Sequence, residues 1–342
     1  MHWTDLRTTP VVRRGHLSQP ISQRTAPRPG GWQVVQALGL LATVLLLVGL
    51  VVRPTLSLNI LWNGLVPVLP AVFLLNPILW RNVCPLATLT MLPGGTRTIT
   101  GHTVRATLVV GAVLLVAFVM ARRFLFNVNG PAIATAVAGL SLAALAGGWR
   151  FEHKAGFCNT ICPVLPVERL YGQRPLLRVA NTRCRPCVGC TARGCLDRSR
   201  ADALRTAIGQ RAASETWVRS PFGGFAAAFP GLIVGYFTVG NTSLAGAPAV
   251  IGHVLLAVAV SVLVVVLLVR LLRVSSGSGL PLLGALAAGH YYWYTAPVIS
   301  AAWQLPSGAT WGIRIAALLL IAAWLGPRPA GRRPSGQELL RT

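Results

Sequence analysis

Four cysteines, Cys184, Cys187, Cys190 and Cys195, occupy the run CRPCVGCTARGC. Three thiolates at two-residue gaps, with a fourth close behind, let one short loop wrap an iron-sulfur cube, whereas tetrahedral zinc usually draws on two separated pairs. The spacing points to a [4Fe-4S] cluster and one-electron chemistry, with zinc and uncommitted thiols as the alternatives. The last gap holds four residues, and Leu196 follows the fourth cysteine where the bacterial ferredoxin run has proline.

A second cysteine set lies upstream. Trp80-Arg81 is followed by Cys84-Pro85, and Trp149-Arg150 is followed by Cys158, Cys162 and Pro163 in FCNTICP. Two apolar segments thus each deliver a Cys-Pro to the same face, and pseudo-symmetric repeats commonly share a site at their interface. On a helix, Cys158 and Cys162 would point the same way before Pro163 ends the turn. Cys84, Cys158 and Cys162 are three thiols, so a second redox site or cluster would need His153 or another fourth ligand. The plainer reading is that they are small buried side chains at helix ends. A further allotment makes Cys162, rather than Cys195, the fourth ligand of the downstream run.

The elements that must position these residues are membrane helices. Of the residues, 54% are hydrophobic and 11% charged, a balance that no water-soluble core of this length could hide. Runs of spanning length fall at Trp32 to Val52, Leu58 to Leu79, Val104 to Ala121, Ala132 to Trp149, Phe222 to Val239, Ala249 to Val269, Leu280 to Ala302 and Ser307 to Leu325, giving eight expected spans. Pro67, Pro70 and Pro77 predict a kinked second span packed inside the bundle, and Arg314 in the eighth must snorkel to a surface.

The expected fold class is all-α, a polytopic helical membrane protein with a cytoplasmic ferredoxin-like cysteine loop. Its parts are a disordered basic arm (1–31), helices 1–4 (32–149), a cysteine-rich loop (150–221), helices 5–8 (222–325) and a basic tail (326–342). The segment 150–219 alone carries 13 of the 31 Lys and Arg residues. With eight spans it shares one side with both tails, while Arg53, Arg122, Arg123 and Arg314 fall opposite. The positive-inside rule then places both termini and all the cysteines on the cytoplasmic side of an inner, cytoplasmic membrane. Reducing conditions there disfavour disulfides and favour metal or redox roles for thiols. The net charge of +24, spread beside apolar runs, suits anionic membrane lipids and not nucleic acid.

Two intramembrane histidines remain. His253 and His290 would differ in depth by about 13 Å at 1.5 Å per residue, which disfavours bis-histidine haem, and His253 reads as a helix-packing residue. His290 opens the run HYYWY and is a candidate contact for a quinone headgroup, against the alternative of an aromatic packing cluster. All seven acidic residues lie outside the spans, so no carboxylate chain for ion pumping is present. No phosphate loop, dinucleotide fingerprint or nucleophile elbow appears, and Gly223-Gly224 reads as a helix-entry feature.

From Leu58 to Asp197 these features resemble the membrane polyferredoxins of the NapH, NosR and CcoG group, and FCNTICP followed by LPVERLYG is the most specific piece. The chain carries one and a half C-x3-C-P motifs and one ferredoxin-type run. The resemblance implies that Cys184, Cys187, Cys190 and Cys195 bind a cluster and that Cys84, Cys158 and Cys162 mark membrane-proximal redox motifs. It also implies electron transfer between the quinone pool, or a redox partner protein, and the cytoplasmic cluster. Such a chain is a redox subunit and not a stand-alone enzyme. The alternatives are an assembly or regulatory factor with a redox-sensing cluster and a zinc-stabilised membrane scaffold.

Overall fold

The computed structural model describes residues 31–177, 179, 190–192, 194–209 and 215–326. Cys184 and Cys187 lie outside the described residues, as do Arg183, Arg185, Arg193, nearly all of the N-terminal arm and almost the whole tail. The described chain is all-helical, with two isolated backbone bridges, Arg97 to Phe151 and Ile99 to Thr191, and no strand.

Five helical stretches among the described residues are long and apolar enough to cross a membrane: Gln33–Val52, Pro54–Leu75, Gly101–Phe126, Gly130–Arg150 and Leu244–Leu271. Two shorter apolar helices, Pro221–Phe237 and Ala309–Leu325, and the 27-residue helix Ser276–Ala302 overlie the remaining apolar runs. Large apolar side chains such as Leu45, Val113, Leu142, Leu256, Leu263 and Leu319 stay exposed. A contiguous apolar surface of this kind is tolerated where hydrocarbon covers it.

In chain order, α1 is Gly31–Val52, α2 is Pro54–Asn59 and α3 is Val66–Leu75, the last two joined through a π-helical turn at Ile60–Leu65. Short helices α4 (Pro77–Val83) and α5 (Pro85–Met91) follow, then α6 (Gly101–Ala121) and α7 (Gly130–Arg150). The cysteine-rich stretch holds α8 (Leu165–Tyr171) and α9 (Arg200–Ile208). It leads into α10 (Pro221–Phe237), α11 (Ala247–Leu271), α12 (Ser276–Ala302) and α13 (Ala309–Leu325). The principal core lies between α3, α8, α10, α12 and α13, where Phe73, Leu170, Phe222, Phe229, Ala287 and Trp324 meet. A second core joins Leu50, Phe126 and Ile133 from α1, the end of α6 and α7.

The second apolar run is broken as its prolines require, but it ends earlier than Leu79. Asn76 leaves the helix at φ −171° and ψ 121°, and its Oδ1 accepts from Ile78 N at 2.9 Å to cap α4, whose first residue is Pro77. The carbonyls of Leu74 and Leu75 are taken by Leu176 N and Leu177 N, at 3.1 and 2.8 Å. Nor is this run wholly interior, because Ile60, Leu65 and Val68 face outward. Gly223 N donates to the cap Ser220 Oγ at 3.0 Å, so the glycine pair does open a helix.

Proline in a helix frees the carbonyl four residues earlier, and that group needs another partner in an apolar bundle. Pro67 frees Asn63 O, which accepts from Trp303 Nε1 at 3.0 Å. The Tyr292 hydroxyl enters the same ladder, donating to Pro67 O at 2.8 Å and accepting from Ala71 N at 3.0 Å. Pro297 frees Trp293 O, which accepts from Arg314 Nε and Nη2 at 3.2 and 3.0 Å. The Arg314 guanidinium, 4.0 Å from the Trp293 ring centroid, therefore closes a helix defect instead of simply reaching for a surface. Replacing Tyr292 by Phe removes one donor and one acceptor from the ladder, and a destabilisation of about 1–3 kcal/mol is expected. Thermal unfolding of the detergent-solubilised variant against wild type measures it.

Candidate functional site

Arg81 stands in the last turn of α4, three residues before Cys84, with its side chain 3% exposed. Its Nη1 meets Glu168 Oε2 at 2.8 Å, its Nε meets Asp197 Oδ1 at 2.7 Å, and its Nη2 donates to Asn159 Oδ1 at 2.7 Å. Lys154 Nζ takes the other Asp197 oxygen at 3.0 Å. One guanidinium therefore joins the end of the second apolar run, the Cys158–Cys162 loop, α8 and the segment just after Cys195. Asn159 Nδ2 extends the network to Thr191 Oγ1 at 3.2 Å, next to Cys190.

Residues 152–164 form consecutive turns, so the helix expected to align Cys158 with Cys162 is not there. Backbone bonds span both three and five residues: Thr160 N and Cys162 N both reach Phe157 O, at 3.1 Å each, and Asn159 N reaches Lys154 O at 3.0 Å. Thr160 Oγ1 competes for the Ala155 and Phe157 carbonyls. His153 adopts φ 48°, and Pro163 supplies no donor. The loop also lies against neighbouring backbones. A Cβ on Gly156 would fall 2.2 Å from Gly147 O, and one on Gly111 would fall 2.8 Å from Cys162 O. Gly111 is ten residues into α6, so the Cys162 carbonyl lies about 15 Å along that helix from its start.

Cys158 and Cys162 are buried in the principal core, and Cys84 packs against it as the Cys84-Pro85 entry to α5. The two Cys-Pro units do come to one region. Among the described residues, however, no three His, Cys, Asp or Glu side chains converge closely enough to hold a metal ion. Cys190 sits in a small core with Ile99, Val104 and Ala155. Its carbonyl accepts from Ile99 N at 2.9 Å. Cys195 lies beside the Arg81–Asp197 pair.

Burial pushes the Cys84 thiol up to about 11 and raises Cys158, Cys162 and Cys195 as well. These thiols are protonated at neutral pH, and any metal they took would displace protons. Burial works against charge on Asp197, but Arg81 and then Lys154 outweigh it and hold the carboxyl well below the usual range. Burial raises Glu168, with Arg81 acting in the opposite sense.

Arg169, on α8 in the segment LPVERLYG, is 2% exposed. Its Nη2 donates to Gly194 O at 3.1 Å, directly before Cys195, while Nε and Nη1 have no partner among the described residues. Burial, then Arg81, push its guanidinium down to about 10. Among the described residues, Arg81, Lys154 and Arg169 are accompanied by two paired carboxylates, Glu168 and Asp197, so this buried group carries an excess of positive charge. Of the other arginines near Cys195, Arg198 is exposed and Arg200 opens α9. Arg169 had no part in the expectation. Five of the seven acidic residues fall within 150–221, a concentration that goes with basic partners there, but nothing in the sequence singles out Arg169.

His290 and His253 line one apolar groove between α10, α11 and α12. His290 Nδ1 donates to Leu286 O at 2.8 Å, which leaves Nε2 as an acceptor in the neutral ring. His253 Nε2 bonds Thr238 Oγ1 at 2.9 Å, in keeping with helix packing. Tyr291 and Tyr292 turn to other faces, so His290 is not enclosed by its aromatic neighbours.

No family model matches the chain, and neither the curated proteins nor the solved structures contain a match to it.

Removing one partner of a buried ion pair leaves an uncompensated charge. Arg81→Ala is expected to cost about 3–5 kcal/mol and to deplete the folded protein, read by size-exclusion chromatography and thermal unfolding. The Asp197 contribution is present above its unfolded value of about 3.9 and is lost as pH falls below it. Unfolding on acid titration should therefore steepen under about pH 4, and Asp197→Asn should lack that arm.

Proposed function

We propose that the chain is a membrane-bound iron-sulfur electron-transfer protein of the NapH, NosR and CcoG kind. It would pass single electrons between the quinone pool, or a redox partner protein, and a cytoplasmic [4Fe-4S] cluster on Cys184, Cys187, Cys190 and Cys195. The observation that carries this reading is the buried excess of positive charge around Cys195, with two donors on Arg169 that have no partner among the described residues. Thiolate-ligated clusters are anionic, and hydrogen bonds and charge around them tune their potential. When bound, the cluster supplies the one-electron chemistry.

The chain's own residues have separate tasks in this reading. Arg81, Asn159 and Asp197 fix the segments flanking Cys158 and Cys195, and Arg169 offers positive charge and donors at the Gly194–Cys195 backbone. The apolar contacts of Ile99, Val104 and Ala155 around Cys190 keep water away. Cys84, Cys158 and Cys162 do not form a three-ligand set, so the single-cluster form is the better supported one. The quinone contact is His290, whose Nε2 faces an apolar groove of about 770 Å³ and can accept from a quinol hydroxyl. The membrane arrangement is eight spans, with both termini on the cytoplasmic side.

Anaerobically purified protein, examined by low-temperature EPR before and after dithionite and by metal analysis, tests the reading. About four irons per chain with a reduced-cluster signal are expected. Zinc without a signal overturns it. In the same preparation Arg169→Gln should lower the midpoint potential, by about 60 mV if the lost interaction is worth about 1.4 kcal/mol. An unchanged potential in a folded, iron-loaded variant removes Arg169 from the site.

A further inference from the structure

At the far end of α6 from the cysteines, two adjacent arginines form the base of a cavity of about 930 Å³. The Arg122 guanidinium lies 3.9 Å from the Trp62 ring centroid and 4.9 Å from that of Tyr236, and Arg123 lies 3.9 Å from the Tyr236 ring. Neutral acceptors orient both groups. Arg122 Nε donates to Asn127 Oδ1 at 3.2 Å, and Arg123 donates to Tyr236 O at 2.9 Å and Asn241 Oδ1 at 3.2 Å. Among the described residues no carboxylate lines the cavity. The four acidic residues with described side chains, Glu152, Glu168, Asp197 and Asp202, all belong to the cysteine-rich stretch at the other end. Two like charges held together without a counter-ion carry an uncompensated desolvation cost, and a bidentate oxyanion is the group that best offsets it.

A second, apolar cavity of about 280 Å³ shares Trp62, Arg122, Tyr236, Phe237 and Tyr291 with the first. It runs beside α6 past Phe118 and Leu115 to Pro163 and Val164. Leu115 and Arg122, at the two ends of the wall that this helical stretch contributes, are seven residues apart, so the passage extends about 10 Å along it. Its walls offer water few polar partners, which suits hydrocarbon better.

We propose that the two cavities form one site for an anionic amphiphile, with a phosphate or carboxylate head on Arg122 and Arg123 and a hydrocarbon body in the apolar passage. The site needs nothing from the iron-sulfur reading. It lies on the end poor in basic residues, so general attraction of a basic surface for lipid does not account for it. The head can come from a membrane lipid or from a soluble anion, and only the first uses the passage.

The full chain, delipidated and placed in phosphatidylcholine nanodiscs, is titrated with a fluorescent fatty acid, with phosphatidylglycerol and with inorganic phosphate alone. Saturable binding of about one fatty acid per chain, competed by phosphatidylglycerol, is expected. Arg122→Gln/Arg123→Gln should weaken it at least about tenfold, equivalent to 1.4 kcal/mol. Leu140→Phe, which keeps both charges and narrows the passage, should weaken fatty-acid binding and leave phosphate binding unchanged. Wild-type fatty-acid affinity in folded Arg122→Gln/Arg123→Gln overturns the charge requirement. Full competition by inorganic phosphate, or wild-type fatty-acid affinity in folded Leu140→Phe, overturns the amphiphile. Displacement by a short-chain quinone with no effect of phosphatidylglycerol reassigns the cavities to a neutral ligand and overturns the proposal.

Discussion

Everything near the cysteines depends on keeping one guanidinium charged inside a nearly dry interior. Arg81 has two carboxylates, a side-chain amide and a backbone carbonyl around it. Those partners come from three separate places in the chain. A charge buried this deeply needs counter-charges and hydrogen-bond acceptors close by, so the network fixes geometry more than it adds stability. The Cys158 loop, α8 and the Cys195 segment have one arrangement in which Arg81 is satisfied. The Gly147–Gly156 and Gly111–Cys162 approaches act in the same direction, since backbone packed on backbone leaves no room for the loop to slide.

The membrane helices account for their own irregularities by a related rule. At Pro67 and Pro297 the freed carbonyl is answered by a side chain from another helix or its end. Trp303 and Tyr292 serve the Pro67 region, and Arg314 serves the Pro297 region. These bonds tie α3 to α12 and α12 to α13, so the defects double as points of registration between helices. Packing through small residues brings the backbones close enough for this.

The apolar helices were legible because an uncharged hydrophobic run of about twenty residues matches the thickness of a bilayer and must close its backbone bonds within itself. Seven of the eight runs begin and end within about four residues of the ends of one helix. The second run misled at its end because Asn76 caps a new helix that is itself apolar. The turn at Cys158–Cys162 was not legible from spacing. Four residues fit one helical turn, but Thr160, Asn159 and Lys154 offer the backbone and the buried charges competing bonds. Arg169 was not legible either. It lies within a motif whose order of residue types carries the resemblance, and its unusual feature, a guanidinium without enough acceptors, exists only in three dimensions.

The separation of Arg81 from Asp197 along the chain has a consequence in time. The pair spans 116 residues, which a ribosome adding about 5–20 residues per second needs roughly 6–23 s to cover. During that interval α4 already carries its arginine while one of its two carboxylates does not yet exist. Arg81 must wait at the polar surface of the bilayer, where water can answer it, until the whole cysteine run has been made. The closing of this pocket is thereby coupled to the completion of the segment it holds, and Cys158 and Cys162 are buried only once that segment has been made.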